Sequence, residues 1–74
     1  MKVRVILQAT LRENRFSDEL LEVGEGADVR ELVRILDIPT EDVGVVVVNG
    51  KAATYKQALK EGDRVSLIPS MAGG

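Results

Sequence analysis

One short stretch constrains this chain more than any other. Between Asp28 and Pro39 the sequence signals a single amphipathic helix. Val29, Leu32, Val33 and Leu36 recur at i, i+3, i+4 and i+7, which is one face of a 3.6-residue period. Asp28 precedes them, and its carboxylate can accept the amide N–H groups of the first turn. Glu31 follows three residues later, placed to reach back to the cap. Both carboxylates are therefore read as capping groups rather than as an acid–base pair. Arg30, Glu31 and Arg34 lie off the apolar stripe. Pro39 has no N–H and restrains Ile38, so the helix is expected to stop there. A helix of about ten residues is marginal alone in water and must bury its stripe against something else. With 74 residues in the chain, there is room for one domain and one small core.

The rest of the sequence supplies a sheet. Lys2–Gln8 alternates Val3, Val5 and Leu7 against Arg4 and Gln8, with Ile6 making the second face partly apolar. Residues 9–17 are polar and read as a loop. Leu20–Val23 is a second short apolar run ended by Gly24 and Gly26, so the two runs suggest an antiparallel hairpin with a long connection. Val43–Val48 is valine except for Gly44; β-branching at successive positions favours a strand. Its apolarity on both faces suggests an inner strand. Asn49-Gly50 accepts two positive φ values and predicts a tight reversal into a short return strand, Lys51–Thr54. Tyr55–Lys60 is expected to form one helical turn with Ala58 and Leu59 inward and Tyr55 as a packing residue. Glu61-Gly62-Asp63 reads as a turn, and Arg64–Ile68 as the last strand, ended by Pro69. A small mixed sheet with one main helix packed across it satisfies all of these signals. The expected class is α+β, in the β-grasp or ubiquitin-like arrangement. Residues 1–69 would form the domain and residues 70–74 a flexible C-terminal tail.

The side-chain inventory limits the chemistry. There is no His, Cys or Trp, which excludes cysteine nucleophiles, histidine-based triads, disulfides and thiolate metal sites. Catalysis by Asp, Glu or Lys would need a pocket that this size disfavours. Net charge is −2, distributed as +3 over residues 1–16, −7 over 17–42 and +2 over 43–74. Such a chain has no phosphate-binding stripe, and two aromatics, Phe16 and Tyr55, make no stacking platform, so nucleic acid is not an expected partner. No run approaches a membrane span of roughly 18 apolar residues, and no secretory signal is evident. The expected location is the cytoplasm.

The chain closes on Ser70-Met71-Ala72-Gly73-Gly74. Two glycines form the thinnest peptide available. A tail of this kind can thread a narrow channel in a partner and deliver its terminal carboxylate to a buried active site. Attack by that carboxylate on ATP gives an acyl-adenylate, and a sulfur nucleophile can then displace AMP. Neither step needs a catalytic side chain on this chain.

The segment Val45–Lys51, then Tyr55, then Leu59–Pro69 with its glycine–acidic turn, and the closing Met71–Gly74 together resemble the ThiS/MoaD family. These are sulfur carriers of thiamine synthesis and small subunits of molybdopterin synthase. The resemblance covers the whole chain in element order and the last thirty residues or so in motif. It implies a protein cosubstrate rather than an enzyme. An E1-like adenylating enzyme, of the MoaB/MoeB or ThiF class, would adenylate Gly74. A cysteine desulfurase would be the indirect sulfur source for a Gly74 thiocarboxylate. The acceptor enzyme would be the large subunit of molybdopterin synthase or thiazole synthase. ATP, magnesium and zinc are expected on the E1-like partner, with no cofactor or metal held by this chain.

The same resemblance implies residue roles. Gly74 is the activated residue, Gly73 keeps the tail narrow, and Ala72 and Met71 enter the partner's channel. Ile68 and Pro69 are candidates for the docking surface, with completion of the sheet as their plainer role. Arg64 and Lys60 are candidates to meet an acidic rim, with solvated surface as theirs. The long connection from Thr10 to Ser17 leans toward the molybdopterin branch or a less specialised carrier. A ThiS-like carrier for the thiamine thiazole, a ubiquitin-like protein modifier and an inert β-grasp interaction module are the other readings.

Overall fold

The computed structural model describes residues 1–70. Strand β1 (Lys2–Leu7) and strand β2 (Asp18–Glu22) come first, followed by helix α1 (Val29–Ile35). Strands β3 (Val43–Val48), β4 (Lys51–Ala53) and β5 (Arg64–Pro69) complete the chain, and short 3-10 turns lie at Ala9–Arg12 and Thr40–Asp42. The strands form one sheet in the order β2-β1-β5-β3-β4. β1 pairs antiparallel with β2 and parallel with β5, while β3 pairs antiparallel with both β5 and β4. The last strand is thus the central one, and the two hairpins meet only through it.

Alternation decides which side of the sheet is covered. Val3, Val5 and Leu7 of β1 and Val65 and Leu67 of β5 point to one face and are buried. Val29, Leu32 and Val33 of α1 join them in a single core. This helix-on-mixed-sheet topology is the β-grasp fold.

The N-terminus of α1 follows the sequence reading in part. The backbone N–H of Glu31 donates to Asp28 Oδ1 at 2.9 Å, so Asp28 is the cap. The Glu31 carboxylate turns away from the cap and pairs with Arg34 at 2.6 Å. Two further first-turn amides, of Val29 and Arg30, donate to the carbonyls of Gln57 and Tyr55. Residues 55–58 therefore do not form the expected helical turn. They run beside the helix start, bridge Asp28 to Ala58, and satisfy donors that no helix can satisfy for itself. Leu59 is buried as expected, but Ala58 is exposed.

The helix also ends earlier than Pro39 requires. It spans seven residues. Ile38 N–H donates to Val33 O and Asp37 N–H to Arg34 O, with Asp37 at φ 57°. This is the Schellman arrangement, closed over the apolar pair Val33 and Ile38. Pro39 instead precedes the turn at Thr40–Asp42.

β3 is internal in its pairing, as expected, yet only one of its faces is covered. Val46 and Val48 are buried, whereas Val45 is 45% exposed. The reversal at Asn49-Gly50 carries the two positive φ values expected, 52° and 83°. The loop after β1 holds structure that its polarity concealed: Leu11, in the first 3-10 turn, is buried. Tyr55 packs against the core and donates its hydroxyl to Thr40 O at 3.0 Å.

Candidate functional site

Two features converge at β5: the face of the sheet that α1 leaves open, and the root of the tail. The open face follows from strand period alone. Arg64, Ser66 and Ile68 alternate with the buried Val65 and Leu67 and so point away from the helix. The register then sets their neighbours. Ile6 and Val47 flank Ser66, and Val45 lies opposite Ile68. Arg4 lies between Leu20 and Arg64. The result is a largely apolar surface, with Leu20 half exposed and two guanidinium groups toward one end.

Those two arginines are not electrostatically equivalent. Arg4 Nη1 is 2.8 Å from Asp18 Oδ1. Arg64 forms no ion pair within 4.0 Å among the described residues. Like charges directly opposite on neighbouring strands repel, so the Arg4–Asp18 pair relieves one charge and leaves the other for solvent or a partner. Ion pairs at this exposure are weak in themselves, at about 0–1 kcal/mol.

At the far end of β5 the first residue of the expected flexible tail, Ser70, is instead tied to the domain. Ser70 N–H donates to Asp42 O at 2.8 Å. Pro69 pairs with Val43, and the register slips by one residue at Gly44. Beside this root, Pro69 and Ser70 share an open groove of about 1070 Å³ with Leu36, Asp37, Glu41 and Asp42. Ile68 and Pro69, both proposed from sequence, thus stand at the tail root. Arg64 stands on the same face as Ile68 but four residues back along the strand, a distance of about 13 Å. Lys60 lies in the turn before β5, where its backbone N–H donates to Asp63 Oδ2 at 2.7 Å. The structure does not bring Lys60 to the tail root. Gly74, Gly73, Ala72 and Met71 lie outside the described residues.

Sequence reasoning missed Ile6, Val45 and Val47 as members of this surface, and Gly44 and Asp42 at the root. Ile6 and the odd-numbered valines carried a signal, being apolar residues on the wrong phase of an otherwise alternating strand. Among the described residues there is no group of three or more carboxylates placed to hold a metal ion, and the sequence has no imidazole or thiol. Without imidazole or thiol, the side chains of this sequence lack the nitrogen and sulfur donors of a structural zinc site.

The ThiS family model matches residues 5–74. The chain belongs to the ThiS family. Its match runs through the tail as well as the domain, and the ThiS/MoaD family comprises small carrier proteins that act with partner enzymes. Solved structures agree with the fold. A protein of Pyrococcus furiosus assigned as molybdopterin converting factor, subunit 1, is 29% identical, with a TM-score of 0.79 over 96% of this chain and 99% of that one. A chain from the complex of subunits 1 and 2 of molybdopterin-converting factor of Helicobacter pylori is 25% identical, with a TM-score of 0.68 over 100% of each. The small archaeal modifier protein 1 of Haloferax volcanii, at 23% identity and a TM-score of 0.78 over 95% and 98%, shares the fold. Among the described residues of this ThiS-family chain, no helix is long and apolar enough to cross a membrane.

Proposed function

We propose that this chain is a sulfur carrier whose Gly74 carboxylate is adenylated and then converted to a thiocarboxylate that donates sulfur in molybdopterin cofactor biosynthesis. One observation carries the reading: a family match that includes Gly73 and Gly74, on a domain whose central strand is also its last, ending at Pro69. The Pyrococcus and Helicobacter relatives favour the molybdopterin branch over the thiamine branch.

The chemistry asks little of this chain. A terminal carboxylate is already ionised at neutral pH, so its attack on the α-phosphorus of ATP needs no general base from the carrier. That step forms the acyl–phosphate bond and expels pyrophosphate. A persulfide from a cysteine desulfurase route attacks the acyl carbon and expels AMP. A second thiol then cleaves the sulfur–sulfur bond, leaving the thiocarboxylate on Gly74 and a disulfide on the partner. ATP and magnesium enter as the E1-like partner's substrate and ion, and zinc belongs to that enzyme. The carrier's own contribution is to dock and to present its tail.

The open sheet face is the docking surface in this reading. Ile68, Val45, Val47 and Ile6 supply apolar contact, and Arg64 meets a carboxylate on the E1-like enzyme or on the large subunit of molybdopterin synthase. Pro69 lies where the tail leaves. A protein-modifier role shares the same activation and is supported by fold alone through the Haloferax protein.

The test is intact-mass analysis of the protein from its own cells. A species heavier by the difference between a sulfur and an oxygen atom, mapped to Gly74 and reactive toward an alkylating agent, supports the proposal. Mapping is required because oxidation of Met71 or Met1 changes the mass almost equally. Failure of the E1-like enzyme and ATP to form a Gly74 adenylate would sink it.

A further inference from the structure

The start of β3 and the end of β5 approach each other more closely than any side chain permits. A β-carbon built on Gly44 would lie 2.8 Å from Ser70 Cα, 2.9 Å from the Pro69 carbonyl oxygen and 3.2 Å from the Pro69 carbonyl carbon. All three are backbone atoms, so no rotamer change relieves the overlap. Carbon atoms rest at about 3.5–4.0 Å, and an alanine here would therefore push the two strands apart by several tenths of an ångström. The register slips at this residue, and the hydrogen bond from Ser70 N–H to Asp42 O fastens the adjoining chain on the same side. Gly44 has no need of glycine for a left-handed φ. Its reason is the close approach.

We infer that Gly44 is a positioning residue for the tail, fixing with Asp42 the point from which residues 71–74 depart. The inference rests on the carrier reading. Four residues span at most about 14 Å, so the reach of the Gly74 carboxylate is measured from Ser70. With the domain docked on one surface and the carboxylate required at a reacting distance on another, a displaced root subtracts directly from that reach. Misplacement of a reacting group by about 1 Å can lower a rate 100-fold.

The experiment compares wild type, Gly44→Ala and Ser70→Pro. The second variant removes the N–H that reaches Asp42 and adds no atom at residue 44. Thermal unfolding, affinity for the E1-like partner and the single-turnover rate of adenylation with ATP are measured for each. Amide exchange at Ser70 is measured for wild type and Gly44→Ala. The expected result is affinity within threefold of wild type, faster Ser70 exchange in Gly44→Ala, and an adenylation rate lowered tenfold or more in both variants. Wild-type rates in variants that remain folded would overturn the inference. So would losses of affinity that account for the whole change, since Gly44 would then be acting on docking. If Gly44→Ala does not fold, Ser70→Pro decides alone. A wild-type chain that is never adenylated overturns the carrier reading itself, a result distinct from either failure.

Discussion

The two aspartates at the ends of α1 are the same residue in opposite situations. Asp28 accepts the Glu31 N–H at the helix start, where a negative charge also suits the helix dipole. Asp37 sits at the other end with φ 57°, a conformation that favours glycine, and places its charge against the dipole's negative pole. Asp28→Ala should therefore lower stability by about 1 kcal/mol. Asp37→Gly should raise it by about 0.5–1 kcal/mol despite glycine's unfolded-state entropy. Urea unfolding midpoints check both, and equal signs would contradict the assignment of caps. A third residue-scale expectation concerns pH. The Met1 ammonium donates to Glu22 at 2.7 Å. That hydrogen bond raises the amine above its ordinary 8.0 and holds Glu22 below its ordinary 4.5. The amine's contribution to stability is complete below pH 8.0 and is lost as pH rises through its raised folded value. The contribution of Glu22 is complete above pH 4.5 and is lost as pH falls through its lowered one. In Glu22→Gln, the thermal midpoint should fall less at both limits than in wild type.

At the scale of elements, the carrier reading has β5 separate stability from recognition by alternation alone. Leu67 is fully buried between β1 and β3, so Leu67→Ala should cost about 2–5 kcal/mol. That is a large share of the whole stability of a small domain. Val45→Lys on the open face should change stability by no more than about 0.5 kcal/mol while weakening affinity for the E1-like partner tenfold or more. Calorimetry on the free variants and titration against the partner distinguish the two effects. This division also explains what was legible beforehand. The helix stripe, the hairpin phases and the Asn49-Gly50 reversal announce themselves because local periodicity and local φ requirements produce them. The buried Leu11, the early Schellman stop at Asp37 and the non-helical course of residues 55–58 do not. Each depends on a neighbour brought up by the fold, such as the amides of Val29 and Arg30 that recruit the carbonyls of Gln57 and Tyr55. The site divides the same way. Ile68 and Pro69 follow from the strand's end, but Gly44 reads as an interruption in a valine run until β5 lies beside it.

For the whole molecule, the carrier reading makes the tail and the domain separable. Deleting Gly73 and Gly74 should leave the unfolding midpoint unchanged and abolish adenylation, as read by pyrophosphate release with the E1-like partner. Retained activity would favour an inert tail on an interaction module. The sheet order gives that separability a mechanical side. β5 is laddered to β1 on one edge and β3 on the other, and ladder hydrogen bonds run across the strands. Tension applied at Ser70 along the strand axis therefore loads both ladders in shear, with many bonds sharing the force, instead of peeling them open one by one. In the carrier reading, a partner that pulls on the end of this chain works against both ladders at once.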